Sequence, residues 1–121
     1  MNRLLKTGLG WRIGQKPQPT EFQGLVGTDD WAVELTFAEL QDFCRLLAQL
    51  AETMTQLAGE LMEDEKIDCE AESDLLWLEV SGYSHTYSLR FILNRGRGVE
   101  GKWQEGAVPG LLQAAQTLQV F

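Results

Sequence analysis

Apolar residues recur every three or four positions across residues 36–61, a spacing that predicts one long amphipathic α-helix. Thr36 and Glu39 have the spacing of a capping box, in which each side chain bonds the backbone N–H of the other residue. We expect the apolar stripe to pack on a sheet, and pairing with a partner helix is the alternative. The stripe comprises Leu40, Phe43, Cys44, Leu47, Leu50, Met54, Leu57, Ala58 and Leu61.

Short alternating patterns on both sides of this helix predict β-strands. They cover residues 9–13, 22–28 and 31–35 before the helix, and residues 67–72, 75–81, 87–93 and 99–104 after it. Pro109, at a first helical position, opens a short C-terminal helix. The predicted order is βββα followed by ββββα, which indicates an α+β fold with helices lying across antiparallel β-meander sheets.

Length and cysteine content narrow the class of protein. A chain of 121 residues has the size of a single domain. It contains no apolar run of membrane-spanning length, and residues 1–10 lack the apolar core and cleavage site of a secretory signal. We therefore expect a cytoplasmic protein in which Cys44 and Cys69 are small core hydrophobes with reduced thiols, with a disulfide between them as the alternative.

Three segments carry a resemblance to a known family. They are Gly10-Trp11-Arg12, Trp31-Ala32-Val33-Glu34-Leu35, and Arg95-Gly96-Arg97 followed by Val99-Glu100-Gly101-Lys102-Trp103. With them the chain resembles a small cyanobacterial family of unknown function whose fold is grouped with the Whirly-type single-stranded-DNA-binding regulators. The resemblance covers nearly the whole chain and implies a Whirly-like fold. It leaves the function open, since nucleic-acid binding would follow from fold analogy alone.

Charged residues are distributed unevenly along the chain. Eighteen acidic residues against ten basic residues give a net charge of −8, which repels a polyphosphate at long range. Residues 60–74 hold eight carboxylates and one lysine, whereas residues 1–20 hold four basic residues and no acidic one. The chain therefore combines an acidic segment with local basic groups.

The basic groups suggest a surface for single-stranded nucleic acid, if the first strand and the 88–104 hairpin lie on one side of the sheet. Exposed aromatic rings stack on bases, and cations bind phosphates. The alternative, which we favour, is that the tryptophans are core residues and the arginines are solvated charges. The candidate residues are Trp11, Arg12, Lys16, Arg90, Arg95, Arg97, Lys102 and Trp103.

Asp68, Glu70 and Glu72 share one face of a predicted strand. Carboxylates in a row can bind Ca²⁺ or Mg²⁺, but this segment lacks the glycine turn and the ligand order of a calcium loop. We expect the row to prevent a sheet edge from pairing with other chains. Docking a basic partner is a third use of the same row.

The residues offer no catalytic constellation. His85, the only histidine, falls in a predicted hairpin turn without a cleft or an orienting carboxylate. Two distant cysteines and one histidine cannot build a structural zinc site. We expect no catalytic residue, no metal site and no cofactor.

Together these patterns favour a non-enzymatic interaction or regulatory module that binds another protein through an apolar groove or the acid-rich edge. Single-stranded nucleic-acid binding is the first alternative, and the net charge disfavours it. A small-ligand pocket or enzyme site between the long helix and a curved sheet is the second. We expect no membrane partner, and open sheet edges are compatible with a homo-oligomer.

Overall fold

The computed structural model describes residues 4–17, 19–60, 64–94 and 96–118, which form two four-stranded antiparallel sheets and two α-helices. The first sheet comprises β1 (Leu4–Gly8), β2 (Trp11–Gln15), β3 (Gly24–Gly27) and β4 (Ala32–Leu35). The second sheet comprises β5 (Ile67–Glu72), β6 (Leu76–Tyr83), β7 (Thr86–Leu93) and β8 (Glu100–Trp103). The helices are α1 (Phe37–Leu57) and α2 (Val108–Thr117), with a 3₁₀ turn at Glu105–Ala107 before α2. The predicted α+β class is confirmed.

The first half of the chain contains four strands, so the predicted βββα order was one strand short. The additional strand is β1, which pairs with β2 in a hairpin. Leu9, predicted to lie in a strand, is in the hairpin turn with 90% of its surface exposed. Gly10 follows with a φ of +84°, a conformation that glycine adopts without steric cost. The sequence does not reveal β1 because Leu4 and Leu5 are adjacent and break the alternation expected of a strand.

The start of α1 agrees with the sequence prediction, and its end does not. Thr36 Oγ1 accepts a hydrogen bond from the backbone N–H of Glu39 at 3.1 Å, and Glu39 Oε1 accepts one from the N–H of Thr36 at 2.8 Å. The helix ends at Leu57, Ala58 is exposed, and Leu61 lies outside the described residues. The buried apolar residues of α1 are Leu40, Phe43, Leu46, Leu47, Leu50, Ala51 and Met54. The prediction thus missed Leu46 and Ala51, which widen the buried stripe.

Both helices pack on the inner faces of both sheets. α1 contacts β5 and β6 of the second sheet more extensively than β3 and β4 of the first. α2 contacts mainly β2 of the first sheet, and also β1 and β7. Buried apolar side chains from the two sheets and the two helices form one contiguous cluster. Each helix therefore stabilises the sheet that the other half of the chain builds.

Four aromatic rings connect the two sheets through α1. The ring centroid of Trp103 lies 5.2 Å from that of Trp31, 5.4 Å from that of Phe91 and 5.6 Å from that of Phe43. Trp103 Nε1 also donates a hydrogen bond of 2.8 Å to the carbonyl oxygen of Gly27, which joins β8 to β3. Rings at these separations contribute more than their buried area alone. This aromatic cluster, which we call the joint, links the two sheets and α1 in the centre of the fold.

Candidate interaction surfaces

The two tryptophans predicted to stack on nucleic-acid bases are both engaged in packing. Trp103 has no exposed surface, so its indole presents no face on which a base could stack. Trp11 is half-buried, and its indole lies in close contact with Gly8 of β1 and Gly110 of α2. Any side chain larger than glycine at either position would clash with the ring. The favoured alternative, in which both indoles serve the core, agrees with these positions.

Arg12 and Lys16 are bound to other groups of the first sheet. Arg12 donates hydrogen bonds to the carbonyl oxygens of Thr28 at 2.7 Å and Trp31 at 3.0 Å, which closes the turn between β3 and β4. Lys16 Nζ lies 3.6 Å from a carboxylate oxygen of Glu34. The Arg12 guanidinium therefore holds a turn, and the charge of Lys16 is balanced locally.

Arg97 is a structural clamp between the β7–β8 connection and the start of α1. Its guanidinium bonds the carboxylate of Glu39 at 3.2 Å and the carbonyl oxygen of Glu34, and it lies 4.9 Å from the ring centroid of Phe22. Glu39 is only 5% exposed, so Arg97 balances a buried charge. Arg95, the neighbouring candidate, lies outside the described residues.

Arg90 and Lys102 are the two members of the candidate set that lie on the outer face of the second sheet. The strand register places them directly opposite each other on β7 and β8. Both are exposed, whereas the inner side chains of the same strands, such as Leu89 and Phe91, are fully buried. Of the described basic candidates, Arg12, Lys16 and Arg97 are thus bound to groups of the first sheet and α1, whereas Arg90 and Lys102 are exposed on the second sheet.

This outer face, defined by the side chains that alternate with the buried ones, is predominantly acidic. Five carboxylates and two cations give it a net charge of −3. No helix packs against it in the part of the chain that the structure describes, since α1 and α2 contact the buried side. Its residues are Asp68, Glu70, Glu72, Trp77, Glu79, Ser81, Ser88, Arg90, Ile92, Glu100 and Lys102.

An apolar patch of Trp77 and Ile92 lies at the centre of the outer face. The two residues are directly opposite each other on β6 and β7, and neither belongs to the buried core cluster. The guanidinium carbon of Arg90 is 5.0 Å from the centroid of the Trp77 ring, a cation–π distance. The sequence contained a signal for this patch, because Trp77 alternates out of phase with Leu76 and Leu78.

The acidic row occupies the position predicted for it. β5 is an edge strand of the second sheet, and Asp68, Glu70 and Glu72 are exposed on the outer face. Glu70 stands opposite Glu79 on β6, so two like charges are neighbours across the strand pair. The arrangement protects the edge and leaves a negative surface beside the Trp77 patch.

Two kinds of site are absent from residues 4–17, 19–60, 64–94 and 96–118. No helix there is long and apolar enough to cross a lipid bilayer. No group of three or more histidine, cysteine or acidic side chains in the same ranges could hold a metal ion. The acidic row therefore offers no assembled cation site among the described residues.

Cys44 and Cys69 are free thiols, so the alternative of a disulfide between them is wrong here. Burial raises the pKa of Cys44 to about 12 from an ordinary value of 9.0. Burial, and then the neighbouring charge of Asp68, also raise the pKa of Cys69. Both thiols are protonated at neutral pH, which makes them poor nucleophiles.

His85 lies in the predicted turn and is exposed, but the structure does provide the cleft and the carboxylate that the sequence did not indicate. A surface pocket of about 160 Å³ is lined by Ser84, His85, Glu105 and residues of α2. His85 stacks against Tyr83, with ring centroids 6.2 Å apart. Within the described residues no hydrogen bond joins His85 to Ser84 or Glu105.

Comparisons with known proteins agree with the fold and with the open function. A family model described as a domain of unknown function, DUF1818, matches residues 6–118. The crystal structure of a protein with unknown function from the DUF155 family, from Prochlorococcus sp. NATL2A, is similar with a TM-score of 0.90 and 27% identity, covering 97% of this chain and 98% of that chain. No curated protein matches the chain. The Whirly-type likeness of the fold stays a prediction, and the sequence match establishes that the chain belongs to the DUF1818 family.

Proposed function

We propose that the chain is a non-enzymatic interaction module that binds a basic protein segment on the outer face of the second sheet. One observation carries the proposal: a tryptophan and an isoleucine stand outside the core, surrounded by carboxylates, on a face that no described helix covers. Tryptophan and arginine are the residue types that contribute most to protein interfaces. Trp77 and Arg90 supply both types at adjacent positions.

The charge of the face favours a basic protein over a nucleic acid. A polyphosphate strand on this face would meet five carboxylates and only two cations. A segment rich in arginine and lysine meets the complementary charge, which increases the rate of association and excludes acidic partners. The remaining cations of the predicted nucleic-acid set support this choice, since Arg12 and Arg97 are bound to carbonyl and carboxylate oxygens of the first sheet and α1.

The Trp77 patch provides the apolar part of the proposed interface. An apolar side chain of the partner would cover Trp77 and Ile92, and this burial is favourable in proportion to the area removed from water. Partner cations would then lie over Glu70, Glu72 and Glu79 on the β5 side. A short extended segment with an apolar residue followed by basic residues meets both requirements.

The proposal is tested by titrating the isotope-labelled chain with a short arginine- and lysine-rich peptide that carries one leucine. We expect the indole signal of Trp77 to shift, and Trp77→Ala to weaken binding roughly tenfold or more. Leu5→Ala is the matched control, because Leu5 is 44% exposed on the outer face of the first sheet. A thermal melt of each variant confirms that it is folded.

A second pair of variants tests the charge argument. Replacing Glu70 and Glu79 together by glutamine should weaken peptide binding and make it less sensitive to salt, whereas Glu52→Gln on the exposed side of α1 should not. A short oligothymidine should not bind. Peptide binding that survives Trp77→Ala, or an oligothymidine that binds more tightly than the peptide, would contradict the proposal.

A further inference from the structure

A groove of about 380 Å³ crosses the outer face of the second sheet at the end near the β6–β7 turn. It exists because Ser81 and Ser88, two small residues directly opposite each other, form its floor between larger side chains. Its volume exceeds that of the pocket beside His85 and lies within the range of small-ligand sites. The groove is separate from the Trp77 patch.

Two lysines stand in the walls of this groove. Lys66, just before β5, lines the groove at one edge of the sheet, and Lys102 of β8 lines it at the opposite edge. Neither ammonium group has an ion pair with a carboxylate among the described residues, in contrast to Lys16, which is paired with Glu34. Two cations against the one carboxylate of Glu105 among the lining residues favour a ligand that carries an anionic group.

The floor of the groove presents hydrogen-bond acceptors. The Ser81 hydroxyl donates its proton to the carboxylate of Asp68, and the Ser88 hydroxyl donates its proton to the carbonyl oxygen of Ser81 at 3.2 Å. A hydroxyl has one proton, so both oxygens can accept a further hydrogen bond but cannot donate one. Glu105, on the β8 side, adds a carboxylate acceptor. A ligand on this floor must therefore carry hydrogen-bond donors.

We infer that the groove binds a small organic phosphate that carries hydroxyl groups, with the chemistry of a sugar phosphate. The phosphate binds between the ammonium groups, and the ligand hydroxyls donate to Ser81, Ser88 and Glu105. A plain anion would leave the acceptor floor unused, and a neutral sugar would leave the lysines unused. This inference does not depend on the protein-binding function proposed above.

The test is a calorimetric titration of the chain with ribose 5-phosphate, ribose and inorganic phosphate. Ribose 5-phosphate should bind more tightly than either of the other two. Lys66→Gln and Lys102→Gln should each weaken it roughly tenfold, the effect of removing one hydrogen bond to a charged group. Lys16→Gln removes the same charge from the first sheet and should leave binding unchanged.

The floor is tested separately by Ser88→Ala. This variant should weaken the binding of ribose 5-phosphate several-fold and leave that of inorganic phosphate unchanged, since only the hydroxyl acceptor is lost. A thermal melt establishes that each variant is folded. The inference is overturned by the absence of ribose 5-phosphate binding, by equal affinity for inorganic phosphate, by an equal loss in Lys16→Gln, or by a short single-stranded RNA that binds more tightly.

Discussion

The outer faces of the two sheets use charged residues in opposite ways. On the first sheet the outer side chains are mostly small or apolar, and its two charged members, Arg12 and Glu34, are bound to the turn after β3 and to Lys16. On the second sheet five carboxylates and two cations surround Trp77 and Ile92. The charged groups of the first face bind other groups of the same chain, and those of the second face are available to bind a partner.

This difference shows why a count of basic residues misleads in a chain of this kind. Arg97 and Arg90 are equivalent in the sequence, since both belong to the 88–104 hairpin. In the structure one neutralises the buried carboxylate of Glu39, and the other lies over the Trp77 ring on the outer face of the second sheet. Only the second is available to a ligand.

The largest effect is expected from breaking the joint that holds the two sheets in this arrangement. Trp103→Ala removes a fully buried indole and leaves the Gly27 carbonyl without its donor, so we expect a loss of about 3–5 kcal/mol in the free energy of unfolding. Trp103→Phe keeps an aromatic ring and should lose about 1–3 kcal/mol. Urea denaturation followed by circular dichroism measures both. Equal stabilities of the two variants would contradict this account of the joint.

The next prediction compares the two arginines directly. Arg97→Ala leaves Glu39 buried without its partner and should lower the free energy of unfolding by about 2–3 kcal/mol. Arg90→Ala removes an exposed cation–π contact and should lower it by less than about 1 kcal/mol. The same urea experiment measures both values. Similar losses of unfolding free energy in the two variants would contradict the view that Arg97 stabilises the fold and Arg90 does not.

The pH dependence of the free energy of unfolding above pH 8 tests a buried group, the Cys44 thiol, that belongs to neither outer face. Because the pKa of Cys44 is raised to about 12, the unfolded chain loses this thiol proton first, near its ordinary value of 9.0. The contribution of the Cys44 thiol to the free energy of unfolding is fully present below pH 9.0 and is lost as the pH rises towards the folded pKa. At about pH 10.5 the loss should be about 2 kcal/mol relative to about pH 8, and Cys44→Ala should lack this part. Identical pH dependence in the two proteins would contradict it.

The smallest effect concerns the acidic row of the second sheet. Glu70→Gln removes the repulsion with Glu79 across the strand pair and should raise the free energy of unfolding by a few tenths of a kcal/mol at low salt. Salt should abolish the gain, since it screens exposed charges. Glu52→Gln is the control, and its stability should not change. A loss of stability in Glu70→Gln would mean that the carboxylate has a favourable contact instead.

Local signals in the sequence predicted much of the fold. The capping box at Thr36 and Glu39 marks the start of α1, and both of its hydrogen bonds are present. The strands after α1 alternate clearly because one side of each packs on the core. β1 was missed because it is an edge strand whose adjacent leucines give no alternation.

The candidate site was harder to predict, because it depends on contacts between distant residues. Trp103 binds Gly27, which is 76 positions away, and Arg97 binds Glu39, which is 58 positions away. No local pattern indicates such partners. The location of Trp77 on the outer face follows from its phase in β6, where it alternates with the buried Leu76 and Leu78. β6 is flanked by β5 and β7, and no described helix packs on its second face.

The exchange of helices between the two halves affects how the chain is made. α1 packs mostly on a sheet that is synthesised after it. The inner side of β1 and β2 is covered by α2, which follows both sheets in the chain. A nascent chain on the ribosome therefore exposes apolar side chains until Trp103 and α2 have emerged. Cooperative folding of this unit therefore cannot be complete before α2 has been synthesised, and a nascent chain that ends within β7 exposes apolar side chains of α1 and of the first sheet.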